Sequence, residues 1–148
     1  MGDGIRVTCA VCGQGNRVPV ARMAAGPKCG ACGEALMSDK VVEFDLAVHD
    51  KVVRADEVPT IIDYWAPWCG PCRAMAPEYA KAAKVLAGHV RFAKINTEEH
   101  PAVSSRLAIR GIPLLILWQK GKEVARLPGS RPAAEIEAFV RSKVPEDM

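Results

Sequence analysis

Every cysteine in the chain belongs to a Cys-x-x-Cys pair: Cys9 with Cys12, Cys29 with Cys32, and Cys69 with Cys72. Sulfur at that spacing serves a metal, a redox dithiol or a disulfide, so the surroundings of each pair decide its chemistry. The first two pairs fall within residues 1–38, a Gly-rich stretch with few large apolar side chains and no helical or strand periodicity long enough to build a core. Units below about 40 residues usually need a metal, a disulfide or a partner to fold. The third pair lies in residues 39–148, where apolar segments recur at helical and strand periods. The 148 residues therefore divide into a small stapled module, 1–38, and an α/β domain, 39–148.

The two early pairs have the spacing of a zinc ribbon. Cys9-Ala10-Val11-Cys12-Gly13 and Cys29-Gly30-Ala31-Cys32-Gly33 are separated as four-thiolate zinc sites usually are. A Gly directly after the second Cys of each pair permits the positive φ that turns backbone N–H groups toward sulfur. The alternative, two further redox dithiols, gives those glycines no task. Cys9, Cys12, Cys29 and Cys32 are thus the expected ligands of one structural zinc ion. Four protein ligands leave no open position for water or substrate.

Beyond residue 40 the pattern predicts a strand over 41–44 and a helix through Leu46, Val48, Val52 and Val53 that ends before Pro59. A β-branched and aromatic run over 60–65 has no clean alternation, the mark of a central strand covered on both faces. Met75, Tyr79, Ala82, Ala83 and Leu86 then share one helical face, so a helix starts at the third Cys pair. A strand over 90–95, a short helix over 102–107, and a hairpin of 114–118 with 123–127 about Lys120-Gly121-Lys122 follow. Ile136, Phe139, Val140 and Val144 form a last helical stripe opened by Pro132. The order β-α-β-α-β-α-β-β-α implies a mixed sheet flanked by helices.

Charge and hydropathy exclude several roles. Lys and Arg number 20 against 17 Asp and Glu, a net of +3 scattered along the chain, so nucleic acid is not an expected partner. The longest apolar run, residues 112–118, is far short of the ~20 residues that span a bilayer. The first residues lack a basic start followed by an apolar stretch, so the expected compartment is the cytoplasm. His49, His89 and His100 have no metal spacing and are expected on the solvated surface; Glu98-Glu99 and Glu146-Asp147 are expected to be ordinary charged loop and tail residues.

Cys69-Gly70-Pro71-Cys72 lies where the central strand ends and a helix begins. The free N–H groups and partial positive charge of a helix N-terminus favour the thiolate, the reactive form of Cys. Cys69 is therefore the expected nucleophile, with an exposed sulfur, and Cys72, one turn inward and more covered, the resolving thiol. Asp63 is a carboxylate in an otherwise apolar strand, where desolvation raises its pKa. It either exchanges a proton with Cys72 or pairs with Lys94 of the neighbouring strand.

Trp65-Ala66-Pro67-Trp68-Cys69-Gly70-Pro71-Cys72 strongly resembles the active-site signature of the thioredoxin family. Asp63, Pro77, Lys94 in Phe92-Ala93-Lys94-Ile95-Asn96, and Gly111-Ile112-Pro113 extend the match over about 41–148. With the zinc module in front, the chain is similar to the bacterial thioredoxin-2 subgroup. The resemblance implies a thioredoxin fold and catalysis by Cys69 and Cys72 with Asp63 and Lys94. It further implies a cis Ile112-Pro113 bond and a substrate groove formed by Trp68, Gly70, Pro71, Gly111, Ile112, Pro113 and Gly129. Gly-Pro between the cysteines resembles the reducing members, so disulfide-containing proteins are the implied substrates. The chain has no Gly-x-Gly-x-x-Gly dinucleotide turn. Electrons are then expected from a separate flavin-containing, NADPH-dependent thioredoxin reductase. Leu114 departs from the Thr that commonly follows this proline. A zinc-dependent interaction module and a zinc-ribbon nucleic-acid binder are the rival functions.

Overall fold

A computed structural model describes residues 4–144, so the Glu146-Asp147 pair lies outside the described residues. Residues 60–65 form the middle strand of a five-stranded sheet, β4 (Thr60–Trp65), buried everywhere except at Trp65. β1 (Gly4–Thr8) and β2 (Gly15–Pro19) precede it in the N-terminal module. β5 (Arg91–Asn96) pairs with β4 in parallel, and β3 (Val42–Glu43) adds in parallel to β5. On the other side β6 (Leu114–Gln119) runs antiparallel to β4, and β7 (Lys122–Pro128) returns from it as a hairpin. The sheet order is β3-β5-β4-β6-β7.

Successive side chains of a strand point to opposite faces, and the core divides accordingly. Ile61 packs with Met75 and Tyr79 of helix α2 (Gly70–Val85) and with Ile136 and Val140 of α4 (Ala133–Lys143). Ile62 and Tyr64 pack with Val48 and Val52 of α1 (Leu46–Ala55) and Val103 of α3 (Ala102–Arg106). Asp63 shares the parity of Ile61, which sends its carboxyl under α2. Each predicted element of this domain is present, in the predicted order. Asp45 caps α1 by accepting from the Val48 N–H at 2.8 Å, and Pro132 precedes α4.

The N-terminal module has more structure than its sequence suggested. β1 (Gly4–Thr8) and β2 (Gly15–Pro19) form an antiparallel hairpin. Val7, Val18, Met23, Leu36 and Met37 gather with Cys9, Cys29 and Val58 into a small core. The module thus has a small apolar core beside its four cysteines. Two five-residue strands broken by arginines carry no legible period, and their partners are brought together only by chain reversal.

Val58 belongs to the larger domain, and the junction between the two is polar at its centre. The Asp56 carboxylate accepts from Thr8 Oγ1 at 2.6 Å, from the Thr8 N–H at 2.8 Å and from Arg91 Nη2 at 2.7 Å. Arg91 Nη1 donates to the Thr8 carbonyl at 2.6 Å. Asp56 and Arg91 are 2% and 3% exposed. Around them the Arg6 carbonyl accepts from the N–H groups of Glu57 and Val58, and Lys51 Nζ donates to the Gly13 carbonyl. These contacts lie at the start of β4 and β5, the end of the sheet remote from the Cys69 turn.

His49 departs from the expected surface position. It is 2% exposed, with Nε2 2.8 Å from the Tyr64 hydroxyl and Nδ1 3.1 Å from Asp50. The Tyr64 oxygen also accepts from Trp118 Nε1 at 3.1 Å. Burial pushes the His49 pKa down, against the opposing pull of Asp50. The helical stripe of α1 runs through His49 because it lies one position beyond Val48, at the edge of the face that meets β4. His89 is exposed and His100 half-buried.

Removing one partner of a buried ion pair strands the other charge. Asp56→Ala is therefore expected to lower the unfolding free energy of the zinc-loaded protein by about 3–5 kcal/mol in urea titrations. A loss close to zero would show that the junction does not hold the two parts together.

Candidate active site and metal centre

After Trp65 the chain turns through Ala66, Pro67 and Trp68, and α2 begins at Gly70 with Cys69 as its N-cap. Cys69 and Cys72 are joined as a disulfide, Cα to Cα 5.2 Å. The Cys72 N–H donates to Cys69 Sγ at 3.2 Å, so the outer sulfur takes the place of a capping oxygen at a helix end. Arg73 Nη1 donates to the Pro67 carbonyl at 2.8 Å and ties the turn to the first turn of α2.

The outer sulfur is not the exposed atom expected: Cys69 is 4% exposed, Cys72 3%. In the disulfide, Cys69 folds back onto Cys72, and its Sγ lies 3.7 Å from the Ile112 carbonyl oxygen. The Ile112-Pro113 bond facing it is cis. The open surface belongs instead to the neighbours. Trp68 is 66% exposed, and Gly70, Pro71, Gly111 and Gly129 are exposed around the sulfurs. Gly129 has φ +87°, and its N–H donates to the Pro113 carbonyl at 3.0 Å. Leu114 is buried in the α1 and α3 core, on the face of the sheet away from α2.

Behind Cys72 lies a cavity of about 200 Å³ lined by Asp63, Trp65, Cys72, Arg73, Tyr79 and Lys94, among others. Asp63 is 4% exposed, and its Oδ1 is buried without a hydrogen-bond partner. Burial raises its pKa to about 7, Lys94 opposing and Glu43 assisting the rise. The direct pairing with Lys94 left open by the sequence is not made. The Lys94 ammonium lies 3.9 Å from Glu43 Oε1 and 4.7 Å from the centre of the Trp65 ring.

At the other end of the sheet the remaining four cysteines meet. Their sulfurs lie within 4.8 Å of one another, and Cys9 to Cys32 and Cys12 to Cys29 are each 3.6 Å apart. Tetrahedral thiolates at the zinc distance of about 2.3 Å are about 3.8 Å apart, so the constellation fits zinc. The two knuckles repeat one another: Gly13 N–H bonds the Cys9 carbonyl and Gly33 N–H the Cys29 carbonyl, with φ of +79° and +81°. Val11 and Ala31 each aim an N–H at the sulfur two residues back, both at 3.4 Å. Asn16 Nδ2 approaches Cys29 Sγ at 3.6 Å, while its Oδ1 accepts from Gly30. Cys9, Cys12, Cys29 and Cys32 would hold a zinc ion with four thiolates, which would tie the two knuckles together and serve structure rather than catalysis.

A disulfide at the head of the helix that follows the central strand of this mixed sheet, faced by a cis proline, defines a thiol-disulfide oxidoreductase. The thioredoxin model matches residues 40–142 and the model described as "Thioredoxin 2, N-terminal" matches residues 8–34. The chain belongs to the thioredoxin family. It is 38% identical to thioredoxin C-3 of Corynebacterium nephridii over 142 residues, covering 96% of this chain and 97% of that one. Thioredoxin of Haemophilus influenzae is 32% identical over 71% of this chain and 98% of its own. Among solved structures, a mutant thioredoxin from Halobacterium salinarum superposes with a TM-score of 0.64 at 26% identity, covering 72% of this chain and 92% of that one.

Several residues of these sites were not singled out in the sequence. Arg73 and Tyr79 line the Asp63 cavity as ordinary members of a helix, and Glu43 lies in a strand too short to show a polar face. Asn16 had a signal only in hindsight of the fold, since nothing in its neighbours marks a contact with Cys29.

Two outcomes follow from this geometry. Asp63 holds its proton more tightly in the folded chain than in the unfolded one, so its ionisation draws the protein toward unfolding as pH rises from about 4 to about 7. Asp63→Asn should match the parent at pH 4 and exceed its stability at pH 8, by at most ~4 kcal/mol in urea titrations. Chelation of zinc, whose apparent binding energy in small modules is ~10–16 kcal/mol, should abolish hydrogen-exchange protection at the Cys9, Gly13, Cys29 and Gly33 amides. Retained protection there would mean that the hairpin and its small core suffice without metal.

Proposed function

We propose that this protein reduces disulfides in other proteins by dithiol exchange at Cys69 and Cys72. The observation that carries the reading is the Cys69–Cys72 disulfide at a helix N-cap with the Asp63 carboxyl in the cavity behind the inner sulfur. In the reduced form the Cys69 thiolate, favoured by the helix end, attacks one sulfur of a target disulfide and the other sulfur leaves as a thiolate. Asp63, ionised, takes the proton from the Cys72 thiol. Cys72 then attacks Cys69 Sγ, releasing the second target thiolate and closing the disulfide described above. The target gains two electrons and, with the proton returned from Asp63 and one from solvent, two protons. Lys94 acts on the charge of Asp63 rather than on sulfur.

An extended segment of the target pairs with the free backbone of Ile112 beside cis-Pro113, with Trp68, Gly70, Pro71, Gly111 and Gly129 shaping the groove. A Cβ at Gly70, Gly111 or Gly129 would meet nothing within 4 Å, which supports open space above the sulfurs. Re-reduction needs two electrons, for which an NADPH-dependent thioredoxin reductase is the expected donor. The same reading divides the chain into a zinc ribbon, 1–38, with one ion, and the redox domain, 39–148. Among the described residues no helix is long and apolar enough to cross a membrane. A cytoplasmic setting, where reductant is supplied, suits the activity.

The test is reduction of insulin disulfides coupled to NADPH oxidation by thioredoxin reductase. Cys69→Ser should abolish turnover, and Cys72→Ser should accumulate a covalent mixed disulfide with the substrate, visible by mass. Unimpaired turnover in Cys69→Ser would overturn the mechanism.

A further inference from the structure

Three charged residues stand side by side on adjacent strands. Glu43 of β3 is in register with Lys94 of β5, and Lys94 is in register with Asp63 of β4. The cation is in the middle and can serve one carboxyl or the other. It serves Glu43: Nζ is 3.9 Å from Glu43 Oε1 and is braced against the Trp65 ring, while Asp63 Oδ1 has no hydrogen-bond partner. Solvent explains why both ends of this choice are accessible. The side chains of Glu43 and Lys94 are 48% and 35% exposed, so neither is locked by burial, whereas Asp63 is 4% exposed.

We propose that Glu43 is a positioning residue for the Asp63 proton site: it holds the Lys94 ammonium at the outer end of the row and so leaves the inner carboxyl without a counter-ion. The inference rests on the reading of Asp63 as proton acceptor for Cys72. An Asp63 paired with Lys94 would stay ionised and would not return a proton. An Asp63 buried with no charge nearby would be slow to give its proton up. Glu43 sets the balance between these, because Lys94 stays within electrostatic range of Asp63 without bonding to it. The other titratable or charged groups lining the Asp63 cavity come from α2: Cys72, held in the disulfide, Arg73, whose Nη1 donates to the Pro67 carbonyl, and Tyr79, whose hydroxyl is within donating range of the Ile61 and Ala93 carbonyls. None of them supplies a competing hold on Lys94.

The experiment is a carbon-13 NMR titration of the Asp63 carboxyl in the oxidised, zinc-loaded protein, where Cys72 does not titrate and a single group is followed. Glu43→Gln should release Lys94 toward Asp63 and lower its midpoint by about one pH unit. In a Lys94→Met background the same substitution should move the midpoint by less than roughly a third as much, since the effect passes through the ammonium. An unchanged midpoint in Glu43→Gln, or an equal shift with and without Lys94, overturns the proposal; the second result would mean that Glu43 acts by its own field. The acid limb of the pH profile for insulin reduction should move in the same direction as the NMR midpoint. If Asp63→Asn leaves that profile unaltered, the proton-transfer reading fails, and the NMR result still decides the positioning of Lys94.

Discussion

The Asp63 carboxyl sits in a strand buried on both faces, at the point where α2 begins, and no donor reaches its Oδ1. Desolvation there weighs more than the attraction of Lys94, so the group keeps its proton close to neutrality. The redox end of the molecule is organised around that imbalance. β4 supplies the carboxyl from below, the first turn of α2 supplies the sulfurs from above, and the cavity between them is lined by both. In the proposed exchange a fully solvated carboxylate would be a poor partner for a thiol that must lose its proton late. A fully paired one would have no proton to exchange.

At the far end of the sheet the opposite solution is used. Asp56 and Arg91 are as deeply buried as Asp63, yet the Asp56 carboxylate and both Arg91 Nη atoms are bonded to each other or to Thr8. A buried ion pair roughly cancels its own desolvation cost, so this one adds little net stability although losing either partner is costly. It fixes where the ribbon sits: Thr8 is the last residue of β1, and Cys9, the first metal ligand, follows it. The ribbon's small core is completed by Val58, from the segment leading into β4. One member of the apolar cluster, one side of the polar junction and one candidate metal ligand thus follow one another at Val7, Thr8 and Cys9.

Much of this was legible from local signals. The β-branched and aromatic run at 60–65, the helical stripe from Met75 to Leu86 and the Lys120-Gly121 turn report contacts made within a few residues, and the elements stand where those signals put them. The zinc knuckles were equally local, because a positive φ after the second cysteine is a demand that Gly answers in place. What escaped were partners brought together by topology. His49 lies on the edge of the α1 face and is drawn inward by the Tyr64 hydroxyl on a strand fifteen residues away. Glu43 matters because β5 crosses between β3 and β4, placing Lys94 next to two carboxyls that are far apart in sequence. Cys69 is buried in the closed disulfide with the Ile112 carbonyl across the turn, neither of which a periodicity reports.

The ribbon packs where β4 starts, whereas the disulfide lies just beyond where β4 ends. Six residues of strand at ~3.3 Å each put roughly 20 Å of filled core between the two groups of sulfur. Thiol exchange requires sulfur to touch sulfur along a line of attack, so within one molecule the four ligand thiolates and the working pair cannot scramble. Two incompatible sulfur chemistries, one that must stay bound and one that must keep breaking, share a single short polypeptide because the sheet insulates them.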